Sequence, residues 1–142
     1  MGVKPIGEVV SQAKSAADKA LPIDPANSQA LSVLAVVAGI FDYDWEAAER
    51  HHRKAMNVEP VHPTVRFRYA VFYLLRLGRF ADAREQCRLA LESDPLSMFL
   101  HIGMALSILA VRQHAEAIKY LCRAMEIDGN YYMMWLVLGS RK

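Results

Sequence analysis

The chain is poor in the features that mark most functional classes. It has two cysteines in 142 residues, Cys87 and Cys122, at no framework spacing. That excludes a disulfide-stapled scaffold and predicts free buried thiols in a reducing, cytoplasmic setting. No apolar run reaches the roughly 18 residues of a membrane span. The longest, Leu31 to Phe41, is interrupted by Ser32 and stops at Asp42, so membrane insertion is not expected. Met1 to Val10 lacks the long apolar stretch of a secretory leader, and none is expected there. Neither sign of charge dominates: 17 Lys and Arg stand against 15 Asp and Glu, mixed along the chain, for a net charge of +2. That balance gives no reason to expect nucleic acid or an anionic membrane as partner.

Reactive constellations are also missing. The seven glycines are scattered, not gathered into a phosphate-cradling loop. His51 and His52 are adjacent, and adjacent helical residues point about 100° apart, so they cannot share one metal ion. His52 falls on the stripe expected to be buried and His51 on the outer face. His62, His101 and His114 are each a repeat element away, so no ligand cluster forms. Carboxylates such as Glu46, Glu49 and Glu116 fall on solvated faces, with Glu49 set to pair with Arg53 one turn on. No nucleophile elbow, triad order or zinc spacing appears. The expectation is a protein without catalysis, metal or cofactor.

What the chain does have is a period. Pro25, Pro60 and Pro95 are spaced 35 and 35, with Gly129 in the next slot 34 later. Ala20, Ala55, Ala90 and Ala124 keep that beat, and so do Ala13, Ala48, Ala83 and Ala117. With 54% hydrophobic residues there is ample material for a core. Three registers sharing one period of this length, written in helical sequence, predict a stacked helical array. Such an array is a surface, so function is expected in what the surface holds.

Helix signals alternate with stops. Leu31, Leu34, Ala35 and Ala38 follow helical spacing and end at Asp42 to Asp44. Asp44 is a fit N-cap for a helix from Trp45 to about Val58, closed by Pro60. His62-Pro63 opens the next helix, which runs to Leu77 and ends at a left-handed Gly78. Phe80 to Glu92 is its partner. Ser97 caps a third opener, and Gln113 to Ile127 is the partner of that one. Pro5 to Leu21 reads as an orphan second helix, and Asn130 starts a last first helix. The fold class is all-α: a right-handed α-solenoid of antiparallel helix pairs, about eight helices in one domain. The expected units are 5–25 (half), 26–60, 61–95, 96–129 and 130–142 (half). Ala48, Ala83 and Ala117 fall where paired helices must approach within about 8–10 Å.

These residues resemble the tetratricopeptide repeat family. Trp135, Leu138 and Gly139 reproduce its Trp-x-x-Leu-Gly opening, and Ala83, Ala90 and Pro95, like Ala48, Ala55 and Pro60, match its second-helix alanines and terminal proline. The opening Trp slot instead holds Leu31, Phe67 and His101 in the whole units, and the second-helix aromatic is His52, Cys87 or Leu121. Two units run to 35, with the extra residues placed near Tyr43 and Val61. The stretches Phe41 to Met56, Gly78 to Ala83 and Asp94 to Ser97 are similar to repeats of bacterial multidomain signalling and transcription-regulator proteins, whose effector domains this sequence does not contain.

The resemblance implies that first helices line a concave groove. The groove residues are then Arg68, Tyr69, Phe72, Leu75, Arg76, Phe99, Ile102, Leu106, Leu109, Met133 and Leu136. Family members that grip a peptide carboxylate use Lys, Asn and Arg where this chain has Ser32, Val36, Tyr69, Phe99 and Gly103, so that clamp is not expected. The face is apolar, and large apolar faces mark interaction sites. A protein or peptide partner, such as an amphipathic helix, is expected there, oriented by Arg68 and Arg76. Three alternatives stay open: coverage by a neighbouring helix of a longer array, self-association into a homo-oligomer, and sensing of a small apolar ligand for an attached effector.

Overall fold

The computed structural model describes residues 5–127, as seven helices with no strand among them. They are α1 (Ile6–Ile23), α2 (Ser28–Val36), α3 (Trp45–Met56), α4 (Pro63–Tyr69), α5 (Phe80–Ser93), α6 (Met98–Leu109) and α7 (His114–Ile127). α2 and α4 each run on into one turn of π-helix, Val37–Phe41 and Ala70–Leu74. The helix expected from Asn130 lies outside the described residues. So do Trp135, Leu138, Gly139, Met133 and Leu136.

Local chemistry fixes the boundaries. Asn27, Asp44 and Ser97 each accept a hydrogen bond from the backbone N–H three residues on, at 3.0, 3.1 and 3.3 Å. Each satisfies an orphan donor of a helix start and contributes about 1 kcal/mol. α4 uses a different cap: His62 Nδ1 accepts from Thr64 N at 3.1 Å, and Pro63 supplies the first turn. After the first helix of each pair the chain turns through a left-handed residue. Gly78 has φ +77°, and Arg79 N reaches back to Leu74 O at 3.0 Å. Tyr43 (φ 54°) and Arg112 (φ 63°) do the same without glycine. Each stands two residues before the next helix.

The periodic alanines are where the helices touch. Ala48, Ala83 and Ala117, and likewise Ala55, Ala90 and Ala124, are no more than 1% exposed. Ala13 and Ala20 of α1 are only half-buried. Close approach between pairs is visible at Gly103, where an added Cβ would lie 2.9 Å from Cys87 Sγ and 3.3 Å from the Phe67 ring. α6 thus lies directly on α4 and α5. The main core joins α4 to α7 through Ala70, Tyr73, Leu74, Cys87, Met104, Ile108 and Leu121 among others. Two smaller clusters serve the first part of the chain: Leu31 with Ala55 and Val65, and Ala38 with Ala47 and Ala48.

Three expectations need correction. The extra residue of the first long unit lies just before Tyr43, in Val37–Phe41, but that of the second is not near Val61: it lies in Ala70–Leu74. Seventeen residues separate Ser28 from Trp45 and Pro63 from Phe80, but sixteen separate Met98 from His114. A π-turn holds one residue more than an α-turn, and both long units have one while α6 does not. The insertion is therefore absorbed inside the first helix. Second, the two thiols differ. Cys87 is buried, which pushes its pKa up to about 12, while Cys122 is exposed. Third, His51 is half-buried, its Nδ1 shielded without a partner among the described residues.

Candidate functional site

One face of the array carries three adjoining hollows. The first lies between α4 and α6, holds about 240 Å³, and is walled by Phe67, Phe72, Phe99 and Leu100. The Phe67 ring meets Phe72 and Phe99 edge-on, at centroid distances of 6.4 and 6.0 Å. The second, about 250 Å³, is an almost wholly apolar valley between α1, α2 and α4, lined by Ile6, Val9, Val33, Val36 and Phe41 with Phe72. The third, about 300 Å³, runs over the small residues Ala13, Ala16 and Ala20 of α1 and Gln29 and Val33 of α2. Arg68 borders all three, and Phe72 borders two.

Arg68 combines burial with the lack of a partner among the described residues: Arg50, Arg76, Arg112 and Arg123 are exposed, and the remaining described arginines are paired. Arg53, Arg79, Arg84 and Arg88 each pair with a carboxylate at 2.6–2.8 Å. Arg66 donates to Gln86 at 2.7 Å. Arg68 is half-buried, and its Nη1 is sealed from solvent with no hydrogen-bond partner among the described residues. Burial lowers its pKa below the ordinary arginine value, because desolvation penalises the charged form. The carboxylate that lines the first hollow, Asp94, makes no ion pair with it among the described residues.

Of the groove residues read from the sequence, the structure gathers Arg68, Phe72 and Phe99 around these hollows. Ile102 and Leu106 are half-buried on α6. Tyr69, Leu75 and Leu109 instead pack onto the main core. The Tyr69 ring stacks on Tyr73 at 5.6 Å and tilts against His52 of α3 at 5.6 Å. Arg76 sits exposed in the turn beyond the π-segment, away from the hollows. For Leu75 and Arg76 the physical reason is the π-turn: a face counted at 3.6 residues per turn from Arg68 reaches Phe72, but the wide turn adds a residue and shifts the positions after it. Tyr69 precedes that turn and Leu109 lies on the regular α6, so it does not account for them. Ser32 and Gly103, which the resemblance places at clamp positions, are both buried, Ser32 fully so. The walls supplied by Phe67 and by Ile6 and Val9 of α1 do not emerge from the repeat pattern. That pattern puts Phe67 in the inward Trp slot and α1 in the outer layer; the apolar Ile6 and Val9, both exposed, are the signal that could have revealed them.

Among the described residues no three His, Cys, Asp or Glu side chains gather to hold a metal ion. His52 is buried among Tyr69 and Tyr73, and burial lowers its pKa to about 4. No helix of the described residues is long and apolar enough to cross a membrane.

No protein-family model and no curated protein sequence matches the chain. Solved structures do. PilF of Pseudomonas aeruginosa superposes with a TM-score of 0.75 at 25% identity, over 89% of this chain and 57% of that one. MamA of strain AMB-1 gives 0.62 at 26% identity over 87% and 72%, and MamA of strain MSR-1 gives 0.60 at 27% over 85% and 68%. The chain thus spans little more than half of the PilF chain it matches. These neighbours are tetratricopeptide-repeat proteins, and the fold here is an α-solenoid of that kind. Such folds are in general non-catalytic scaffolds for protein interaction.

Proposed function

We propose that this protein is a non-catalytic scaffold whose concave face takes an apolar segment of a partner protein, a peptide or an amphipathic helix. The observation that carries the reading is the row of contiguous apolar hollows across α1, α2, α4 and α6. The size of the aromatic-walled hollow, taken alone, favours side chains over small molecules. The aromatic-walled hollow of about 240 Å³ is below the roughly 300–1,000 Å³ of typical small-molecule sites. It fits one or two anchoring side chains. Each buried anchor contributes about 1.5–3 kcal/mol, so a few of them reach micromolar affinity after the cost of association.

The test is a random-peptide display selection on the full chain. Winning peptides should carry apolar anchors and lose at least about tenfold in affinity, or 1.4 kcal/mol, against the double variant Phe72→Asp, Leu106→Asp, with its helical circular dichroism retained. Winners indifferent to that variant would remove the reading. A second reading, occupancy by a small apolar ligand that reports to an attached signalling domain, draws on the same enclosed hollow. It requires a co-purifying molecule in native mass spectrometry that the double variant loses.

A further inference from the structure

Resting on that reading, we propose that the groove selects its partner by a side-chain carboxylate: the occupant is a segment with a Glu or Asp flanked on both sides by apolar residues, and the acid pairs with Arg68. The position of Arg68 is the first ground. It borders the aromatic hollow between α4 and α6, the valine-lined valley of α1 and α2, and the alanine hollow beside it. A ligand that fills two of these must pass over it. The second ground is its unmet charge: the side chain is half-buried, and among the described residues no ion pair includes Arg68.

A half-buried guanidinium without a counter-charge is costly, and a carboxylate that meets its side toward the hollows supplies the strongest complement through charge-assisted, often bidentate, hydrogen bonds. Surrounding apolar walls strengthen the pair by lowering the local dielectric. Arg68, which Asp94 on the same hollow does not pair with, therefore favours an acid at the centre of the ligand, and the walls favour apolar residues to either side. A basic residue at that place meets repulsion, and a neutral amide gains less. Arg76, exposed beyond the π-turn, has no part in this contact.

The experiment is the same display selection, run in parallel on the full chain, on Arg68→Met and on Arg68→Lys. The library is fused through its C-terminus, so it offers no free terminal carboxylate. The full chain should enrich acids between apolar residues. A winner resynthesised with its acid as Gln should bind at least about tenfold more weakly, as expected for loss of a charge-assisted bond. Arg68→Met should bind the Glu and Gln peptides equally, while Arg68→Lys keeps part of the preference. Arg68→Met keeps the unbranched apolar stem, and its melting temperature should equal or exceed that of the parent, because a desolvated charge is removed. Winners with apolar anchors and no acid preference overturn the carboxylate proposal and leave the scaffold reading standing. No winner sensitive to Phe72→Asp, Leu106→Asp overturns both. A chain that is dimeric by light scattering and becomes monomeric in Arg68→Met gives the groove to a second copy and also overturns the proposal.

Discussion

The first two helix pairs and the third solve one packing problem in two ways. In the first two, the opening helix widens into a π-turn, Val37–Phe41 or Ala70–Leu74, and takes one residue more to reach its partner. In the third, α6 is regular and its partner begins one residue sooner. Yet the alanines that meet across the pairs are buried alike in all three. The contact surfaces are held constant, and the length difference is taken up within the last turn of the first helix. The comparison teaches that the period in the sequence belongs to the packing contacts, and the groove belongs to what lies between them.

The largest effect should come from moving the insertion. Deleting Val71 removes the surplus residue of the π-turn and returns α4 to regular geometry. That variant should melt cooperatively with a loss of about 1–3 kcal/mol. Deleting Ala105 from the regular α6 rotates everything beyond it by about 100° and turns Ile108, fully buried in the main core, away from its neighbours. Cooperative melting should weaken or disappear, since Ile108 alone is worth about 2–5 kcal/mol against the roughly 5–15 kcal/mol of a whole domain. Equal thermal melts for the two deletions would break the comparison.

A smaller effect tests the alanines. Ala83→Leu forces a bulky side chain into a fully buried contact and should cost about 3 kcal/mol. Ala13→Leu, at the matching place on half-buried α1, should stay within about 0.5 kcal/mol. Urea titrations of both variants give the difference directly.

The smallest sharpens the contrast inside the second helices, where one slot holds His52, Cys87 or Leu121. Burial lowers the His52 pKa from its ordinary 6.5 to about 4. Below 6.5 the unfolded chain therefore binds the proton that the folded chain refuses. Stability is intact above about pH 6.5 and falls as pH drops toward 4, by about 2–3 kcal/mol in all. His52→Leu, which copies the third pair, should flatten that limb in stability measured against pH. An unchanged acid limb would show that His52 is not its source.

Much of this architecture is readable from residue spacing. The caps at Asp44 and Ser97, the proline start at Pro63 and the left-handed Gly78 all stand where local chemistry puts them. The hollows are legible only in part. Of the groove residues expected from the sequence, Arg68, Phe72 and Phe99 border the aromatic hollow, while Tyr69, Leu75 and Leu109, each partly buried, pack against the main core. Counting at 3.6 residues per turn carries no warning of a π-turn, and the walls from α1 depend on how that helix leans on α2 and α4.

By itself the sequence determined the helices, their limits and the small residues at which they meet, because those depend on neighbours within a turn and on a period that repeats. Only the tertiary structure decided which residues share the hollows and that Arg68 stands among them with a shielded, unmet donor. Those properties arise where helices distant in sequence converge, and convergence depends on the widened turns that shift each face by one residue.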